Sequence, residues 1–376
     1  MVKKIWLSQP HMEGHEINYV IDAFEKNHIF PLGEYVTRLE NQLKSQISDS
    51  HNFLAVNSGT SALHLALKLL KLQKDDEVIC STFTFSATVN PIIYEQATPI
   101  FVDSEMETWN MCPELLVECI EDRIRKKKKP KAIIVVHLYG MSAKIEELKK
   151  IAKDYDIPLI EDAAEALGSS FNKKPLGTFG DFGFYSFNGN KIITGSSGGA
   201  LITSKQSYYQ EGLKYATQSR EPVIHYEHKQ LGYNYRMSNV IAAIATGQLE
   251  ILNKRVEQRR KNFAFYFDSL KHYEFVNFQK EGTESYSNRW LSTIYFDKPN
   301  LNLSLLNFLA DRNIESRPLW KPMHQQPFFK DHPKYLNNCS DYLFDRGLCL
   351  PSSSSLNKEE LNYIKENIDQ WIIKTL

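Results

Sequence analysis

Between residues 53 and 204, short apolar runs alternate with amphipathic segments, and this alternation constrains the fold more than any other feature of the sequence. Runs such as AIIVVH consist of consecutive apolar, mostly β-branched residues, which is typical of strands buried on both faces. Segments such as 61–72 and 144–155 have the spacing of helices that cover a sheet. The pattern predicts an α/β fold with a mostly parallel sheet whose ligand site lies at the carboxyl ends of the strands. The predicted strands are 53–56, 78–81, 100–103, 132–137, 159–162, 182–187 and 200–203.

After residue 232 the pattern changes. A long helical pattern covers 239–270, and it is followed by a strand-like run at 290–296, a helical run at 303–311 and another strand-like run at 315–320. A chain of 376 residues is also longer than a single core usually supports. We therefore predict a large domain at 1–250, which includes an N-terminal arm, and a smaller α+β domain at 251–376.

Charge and cysteine content narrow the class of protein. Lysine plus arginine equals aspartate plus glutamate at 45 each, so no overall field favours nucleic acid or a membrane. The five cysteines form no CxxC pair, which suits reduced thiols better than a disulfide framework. We see no signal-like apolar segment at the N-terminus and no apolar stretch of membrane-spanning length. The expectation is a cytoplasmic protein.

Asp162 ends one of the predicted strands, in the sequence PLIEDAAEALG. A carboxylate at the end of an apolar strand is costly to desolvate without a partner. Two roles are open: the side chain caps a helix that begins at Ala163, or it binds a ligand at the carboxyl end of the sheet. A pyridine cofactor needs a carboxylate there, because it keeps the ring nitrogen protonated and so turns the ring into an electron sink.

Lys191 lies between two predicted strands, in the segment GFYSFNGNKIITGSSGGAL. Most lysines in loops are exposed and have no chemical role. Here Ser186 and the amide of Asn188 precede the lysine, and the small residues at 194–199 allow the backbone to approach a ligand closely. A lysine held against a bound cationic ring loses proton affinity, so it can bind a cofactor covalently and later move a proton.

Two further segments have features of a cofactor site. Residues 57–60 (NSGT) connect the first predicted strand to a helix, and backbone amides at such a junction, here those of Gly59 and Thr60, bind anions such as phosphate. Serine and threonine also cap helices that bind no ligand. Phe85, in STFTFSAT, follows the next strand, and it either stacks on a planar ring or packs in the core.

Five segments occur together in the order and spacing of a known family: NSGTSALHLAL, TFTFSAT, EDAAEALGS, SFNGNK with its glycine-rich tail, and GYNYRMSN. On these motifs the chain resembles the DegT/DnrJ/EryC/StrS sugar aminotransferases, which have the aspartate aminotransferase fold (fold type I). The resemblance covers nearly the whole chain. The segments LSQPHMEGHE, SNRWLS and RPLWKPMH are similar to the subgroup that makes a UDP-linked 4-amino-4,6-dideoxy-N-acetylglucosamine for bacillosamine-type sugars.

The resemblance implies pyridoxal 5'-phosphate (PLP) as the cofactor. By this resemblance, Lys191 carries the cofactor covalently, Asp162 pairs with its ring nitrogen, and Phe85 stacks on the ring. The implied phosphate ligands are Gly59, Thr60, Ser186 and, from the neighbouring subunit of a homodimer, Asn234.

The resemblance also implies the reaction. It moves an amino group from L-glutamate to the C4 ketone of a UDP-linked 4-keto-6-deoxy-N-acetylhexosamine, giving a UDP-4-amino-4,6-dideoxy sugar for bacterial glycan synthesis. The alternative substrate is a dTDP-linked 4-keto-6-deoxy sugar, aminated at C3 or C4. Arg317 and His324 match positions near the sugar nucleotide, and Asn188 and Arg236 are further candidate contacts. Arg317 could instead form a structural ion pair, and Arg236 a bond at the dimer interface.

Two positions depart from the broad family. Glu165 stands where most members have glutamine or histidine facing the cofactor, although the bacillosamine-type subgroup also has glutamate; we predict that Glu165 is catalytic. The sequence TGSSGG follows Lys191 where the broad family usually has TGEGG. This second change affects the expected loop conformation but not the expected reaction.

Other classes of protein fit the sequence less well. A nicotinamide-dependent oxidoreductase would have GxGxxG after a strand, and the sequence has none. A metalloenzyme could use His225 and His228, but no third ligand motif accompanies them, so we predict no metal. A non-catalytic nucleotide-sugar binder would have lost the cofactor lysine, and dehydratases of the family replace it with histidine. Because Lys191 is present, we predict a transaminase.

Overall fold

The computed structural model describes residues 4–375, in which strands and helices alternate as far as residue 203. The strands are β1 (Asn52–Val56), β2 (Glu77–Ser81), β3 (Thr98–Val102), β4 (Ala132–Val136), β5 (Leu159–Asp162), β6 (Ser170–Phe171), β7 (Lys174–Pro175), β8 (Phe182–Ser186), β9 (Gly199–Thr203), β10 (Val276–Phe278), β11 (Ser285–Tyr286), β12 (Ser292–Phe296), β13 (Arg317–Pro318), β14 (Lys334–Tyr335) and β15 (Gly347–Leu350). The helices are α1 (Glu16–Glu25), α2 (Glu34–Ile47), α3 (Gly59–Leu69), α4 (Asn90–Tyr94), α5 (Pro113–Arg125), α6 (Ile145–Asp154), α7 (Gln206–Ala216), α8 (Asn239–Glu250), α9 (Leu252–Leu270), α10 (Leu301–Ala310), α11 (Cys339–Arg346) and α12 (Lys358–Thr375). Short 3-10 helices lie at Ser86–Thr88, Leu138–Gly140 and Met323–Gln325.

Eight strands form the central sheet, in the order β1-β9-β8-β5-β4-β2-β3-β14. The pairs from β8 through to β14 are parallel, and β9 is antiparallel to both of its neighbours. The prediction of a mostly parallel sheet is therefore confirmed. All seven predicted strands are present, each within two residues of its predicted ends.

The sheet separates two apolar clusters, because consecutive residues along a strand point to opposite faces. In β4, Ile133 and Val135 pack on one face and Ile134 on the other. Helices α2, α5, α6 and α8 cover the first face, and α3, α4 and α7 cover the second. Helix α3 is buried along most of its length, so its N-terminus is held firmly at the end of β1.

A smaller antiparallel sheet, β10-β12-β15-β13, packs with α9, α10 and α12 around a separate apolar cluster. The N-terminal segment packs on this lobe: Ile5 forms a bridge with Ile314, and the Leu7 amide donates to the Glu315 carboxylate at 3.1 Å. A third sheet, β11-β6-β7, joins this lobe to the large one. The second half of the chain thus contains the predicted α+β lobe.

Three details of the C-terminal half differ from the prediction. The single helix expected at 239–270 is broken at Ile251 into α8 and α9, and no proline in the sequence around residue 251 signals the break. The strand expected at 315–320 is reduced to β13, and β14 joins the central sheet from the C-terminal half. Strand β14 comes after residue 251 in the chain but belongs to the central sheet of the large domain. The domain boundary between residues 250 and 251 therefore stays a prediction.

Other features concern membranes, metals and cysteines. Within residues 4–375, no helix is long and apolar enough to cross a membrane. In the same range, no group of three or more histidine, cysteine, aspartate or glutamate residues could hold a metal ion. His225 pairs with Glu227, and His228 bonds to the Gln218 carbonyl. The five cysteines are buried and free.

Candidate active site

A cavity of about 600 Å³ opens where β5 and β8 end and α3 begins, which is the place predicted for a ligand. Most of the residues predicted from the sequence meet in it. Those that line the cavity are Gly59, Thr60, Phe85, Asp162, Glu165, Ser186, Asn188, Lys191 and Arg317. Three predicted residues lie elsewhere: Asn234, Arg236 and His324.

Asp162 is the last residue of β5, and its carboxylate is buried at the floor of the cavity. One oxygen accepts a hydrogen bond from the Thr88 hydroxyl at 2.6 Å, and the other accepts from the Ala164 amide at 3.1 Å. Burial raises the pKa of Asp162 above its usual value, although the Thr88 hydrogen bond opposes the shift. The residues that follow Asp162 form turns, so the helix-capping alternative is excluded.

The first turn of α3 and the end of β8 form a second polar region of the cavity. The Ser58 hydroxyl accepts from the Ser61 amide at 3.0 Å and caps the helix. Gly59 and Thr60 come first in α3, so their amides have no partner within the helix and lie at its electropositive end. A Cβ on Gly59 would lie only 3.1 Å from the Cβ of Ser186, so the glycine lets α3 approach β8 closely.

Lys191 and Glu165 lie together beside this floor. The lysine Nζ is 3.4 Å from Glu165 Oε1 and 4.3 Å from the centroid of the Trp290 ring. The other oxygen of Glu165 accepts from the Tyr139 amide at 2.7 Å. Burial raises the pKa of Glu165 to about 7, although the charge of Lys191 opposes the shift. A carboxyl group with such a pKa can hold or release a proton near neutral pH.

Tyr139 joins this site to the smaller lobe. Its backbone is left-handed, with φ 56°, and its ring is buried. The Tyr139 hydroxyl accepts from the Trp320 amide at 3.0 Å, and the ring stacks on Trp290 at 6.4 Å. A non-glycine residue keeps this conformation only where its surroundings hold it, and here contacts from both lobes do so.

Sequence reasoning missed several of these residues. Tyr139, Trp290 and Trp320 are aromatic residues of the types that commonly pack in protein cores, so no local sequence pattern marks them as site residues. Both tryptophans do lie in segments that carry the family resemblance, SNRWLS and RPLWKPMH, and this was the available signal. Thr88 lies in the TFTFSAT motif, three residues after Phe85, but its bond to Asp162 depends on the fold.

The mouth of the cavity is more exposed than its floor. The Phe85 side chain is 57% exposed and its ring lies 5.5 Å from that of Trp320, so the core-packing alternative is excluded. Asn188 is exposed beside Ser186. The Arg317 guanidinium donates twice to Glu315 Oε1, at 2.7 and 3.2 Å. Arg317 therefore lines the cavity and also forms a structural ion pair, which was the second alternative that the sequence allowed.

Asn234 and Arg236 lie outside this chain's cavity. The Asn234 side chain is exposed, and its Oδ1 accepts a hydrogen bond from the side-chain amide Nε2 of Gln218 at 3.1 Å. The Arg236 guanidinium forms an ion pair with both oxygens of Glu40 and donates to the Ala55 carbonyl. Because its guanidinium is held by Glu40 and the Ala55 carbonyl within the subunit, we remove Arg236 from the predicted diphosphate contacts.

His324 is also away from the cavity lining and is buried. Its Nδ1 lies 2.8 Å from the Thr82 hydroxyl, and its Nε2 lies 3.0 Å from Asp341 Oδ1. Both ring nitrogens are occupied by protein partners. The structure thus differs from the predicted substrate contact, and it shows His324 holding the 3-10 helix at Met323–Gln325 against the segment after β2.

The residues at the floor of the cavity fit PLP. Within residues 4–375, the buried Asp162 carboxylate forms no ion pair with a lysine, arginine or histidine, and a protonated ring nitrogen would supply the missing positive partner. The N-terminus of α3, at Gly59 and Thr60, would hold the phosphate. Lys191 would carry the cofactor between these two points.

Comparison with known proteins agrees with this geometry. A profile of the DegT/DnrJ/EryC1/StrS aminotransferase family matches residues 10–369. EpsN of Bacillus subtilis, provisionally named a pyridoxal phosphate-dependent aminotransferase, is 46% identical over 371 residues, covering 97% of this chain and 95% of EpsN. The GDP-perosamine synthase of Escherichia coli O157:H7 is 38% identical, covering 98% of this chain and 99% of the synthase.

Solved structures show the same fold. A crystal structure of a DegT DnrJ EryC1 StrS aminotransferase from Brucella abortus matches with a TM-score of 0.89 at 25% identity, covering 96% of this chain and 99% of that one. The family profile spans both lobes and the whole cavity floor. This chain therefore belongs to the DegT/DnrJ/EryC1/StrS family, as a sugar aminotransferase that uses pyridoxal phosphate.

Proposed function

We propose that the protein transfers an amino group from L-glutamate to the C4 ketone of a UDP-linked 4-keto-6-deoxy-N-acetylhexosamine. The observation that carries this proposal is the distribution of charge in the cavity. Among the residues that line it, the cations are Lys191 and Arg317. An aminotransferase confined to amino acids needs a fixed cation for the carboxylate of the second substrate. Here Arg317 lies at the mouth of the cavity. This position suits a substrate whose sugar ring lies inside the cavity and whose anionic diphosphate lies outside it, beside the arginine.

The proposed roles follow from the contacts at the floor. Bound PLP supplies an electron sink. Lys191 carries the cofactor and moves a proton at its Nζ, and Asp162 keeps the ring nitrogen protonated. Glu165, 3.4 Å from that Nζ, holds a proton beside it. Phe85 covers the ring, and the start of α3 with Ser186 binds the phosphate.

The identity of the nucleotide rests on the resemblance of segments such as SNRWLS to the bacillosamine-type subgroup. A second candidate is a GDP-linked sugar, because three relatives, at 38%, 33% and 30% identity, are named GDP-perosamine synthases. A dTDP-linked sugar is a third. In each case the product is an amino sugar for polysaccharide biosynthesis or protein glycosylation. We propose a cytoplasmic location, which five free cysteines support.

The test is a substrate panel with ¹⁵N-labelled glutamate as donor. UDP-, GDP- and dTDP-linked 4-keto-6-deoxy sugars are compared with plain keto acids, and products are identified by mass spectrometry. We expect ¹⁵N in a UDP-4-amino-4,6-dideoxy sugar. Activity confined to keto acids would refute a sugar substrate, and a clear preference for GDP or dTDP would move the assignment to another nucleotide.

We propose in addition that the enzyme is a homodimer in which Asn234 completes the partner's phosphate site. Asn234 is exposed and outside its own cavity, and apolar side chains on and after α1 are exposed as well, including Ile17, Ile21, Phe24 and Leu32. Mixing two inactive variants tests this. If Asn234 acts across the interface, Lys191→Ala and Asn234→Ala subunits form a heterodimer with one intact site, and activity returns. No recovery after verified subunit exchange would contradict it.

A further inference from the structure

Helix α3 carries a buried histidine that the proposed reaction does not use. His64 lies one turn after Thr60, and its side chain is only 5% exposed. Its Nδ1 is 3.0 Å from the Tyr235 hydroxyl, and its Nε2 is 2.9 Å from Glu95 Oε1. The other oxygen of Glu95 accepts from Lys68 Nζ at 3.2 Å. Because both ring nitrogens have partners on different segments of the chain, the imidazole is fixed in one orientation.

The segment 233–236, which contains Asn234, is bonded to the junction between β1 and α3. The Asn57 amide donates to the Tyr235 carbonyl at 2.8 Å, and Asn57 Nδ2 donates to the Asn234 carbonyl at 3.2 Å. Arg236 forms a β-bridge with the last residue of β1. These bonds hold the backbone on both sides of Asn234, whereas the directions of the side chains depend on their own contacts.

The side chains of this segment alternate in direction, as they do along a strand. Tyr233 and Tyr235 pack against the apolar cluster that contains α3, and Asn234 between them is exposed. The two tyrosine rings stack with their centroids 4.8 Å apart. The hydrogen bond between the Tyr235 hydroxyl and His64 thus fixes the inner side of the segment, and with it the direction in which Asn234 points outward.

We propose that His64 is a positioning residue for the cofactor site of the neighbouring subunit. Its bond to Tyr235 holds Asn234 in the direction in which that side chain reaches the phosphate of PLP across the interface. This inference rests on the homodimer proposed above. A purely structural role would have His64 stiffen α3 and act on the phosphate site of its own subunit. The two roles place the effect of one substitution in different subunits, so an experiment can separate them.

The first measurement is the Kd for PLP, obtained from the absorbance of the bound cofactor. Tyr235→Phe removes one hydroxyl and keeps the ring, so we expect Kd to rise roughly fivefold, as the loss of one hydrogen bond implies. His64→Phe should have the same effect, and His64→Asn, which keeps a polar atom near the place of Nδ1, should recover part of it. The matched control is Tyr233→Phe, because Tyr233 contacts His64 through its ring at 5.0 Å.

The second measurement identifies the subunit in which the bond acts. Asn234→Ala and Lys191→Ala chains form a heterodimer whose one intact site takes its lysine from the first chain and Asn234 from the second. Tyr235→Phe is then added to one chain or the other, and the PLP concentration that gives half-maximal activity is measured. We expect a roughly fivefold rise when Tyr235→Phe is in the Lys191→Ala chain, which supplies Asn234, and no change when it is in the Asn234→Ala chain.

The outcomes separate this inference from the proposed homodimer. If the heterodimer is active and Tyr235→Phe has no effect, or acts only in the Asn234→Ala chain, the positioning role is refuted and the shared site stands. If activity does not return after verified subunit exchange, the shared site is wrong and both fail. An equal rise of Kd in Tyr233→Phe would assign the effect to ring packing and overturn the role of the His64 bond.

Discussion

The floor of the catalytic cavity and its mouth are built in different ways. At the floor, Asp162 and Ser186 end neighbouring strands of the central sheet, and Gly59 begins a helix buried beneath it. At the mouth, Arg317 and Phe85 are largely exposed, and Arg317 comes from the C-terminal half of the chain. The floor is thus fixed by the core, whereas the mouth is assembled from segments distant in sequence.

This difference suggests a division of work. In the proposed function the floor contacts the cofactor, which is the same in every turnover, so the floor residues would act on both half-reactions. In the same proposal the mouth contacts only the part of the sugar nucleotide that lies outside the cavity. Substitutions at the floor should therefore lower kcat with any acceptor, whereas substitutions at the mouth should raise KM for one acceptor.

The largest effect is expected at Lys191. Lys191→Ala would remove both the proposed covalent attachment of the cofactor and the proposed proton carrier, so turnover should fall on the order of 10⁴-fold or more with every acceptor. Borohydride reduction and peptide mapping of the wild-type enzyme should label Lys191. Lys205→Ala, at an exposed lysine 14 positions later in the chain, is the control and should be fully active. Labelling of any other lysine would show that the assignment is wrong.

Asp162→Asn should be the next most damaging change. It removes the negative charge that we propose keeps the ring nitrogen protonated, and we expect kcat to fall roughly 10²-fold or more while KM for the sugar changes little. Asp156→Asn, at a fully exposed carboxylate, is the matched control. A variant that keeps wild-type kcat would remove Asp162 from the mechanism.

Two arginines, one held in a nearly buried ion pair and one exposed at the mouth of the cavity, test the contrast between the core and the mouth directly. Arg236 is nearly buried in its ion pair with Glu40, so Arg236→Ala should lower the free energy of unfolding by about 3–5 kcal/mol. Arg317 is 66% exposed, so Arg317→Ala should change that free energy by less than about 0.5 kcal/mol but raise KM for the nucleotide sugar roughly tenfold. Denaturant unfolding of both variants measures the change in free energy, and steady-state kinetics measures the change in KM. The reverse pattern would place the diphosphate at Arg236.

Glu165→Gln should have the smallest effect on turnover, because glutamine serves at this position in much of the family. Its signature is in the dependence on pH. In the cofactor-free protein, the native pKa of Glu165 is about 7, against 4.5 when unfolded, so the native state binds more protons between these values. Stability should therefore fall as pH rises from about 4.5 to 7, by on the order of 3 kcal/mol relative to Glu165→Gln. Parallel stability curves for the two proteins would contradict the raised pKa.

Much of the fold and of the floor was determined by the sequence itself. Strands buried on both faces need continuous apolar runs, so the seven large strands could be predicted to within two residues. The carboxyl ends of parallel strands meet at one edge of the sheet, so polar residues just after those runs had to lie together. Asp162, Ser186 and the NSGT junction meet in one cavity for that reason.

Only the tertiary structure decided which of the remaining polar residues face that cavity. Arg236 bonds to a carboxylate 196 positions away, and His324 bonds to a hydroxyl 242 positions away, so neither is free for the substrate. In the same way, Tyr139 became part of the site only when Trp290 and Trp320 packed against it. Local sequence patterns predict which residues are buried and which secondary structure they form. A bonding partner some 200 positions away depends on how distant segments pack together, so it is known only from the folded structure.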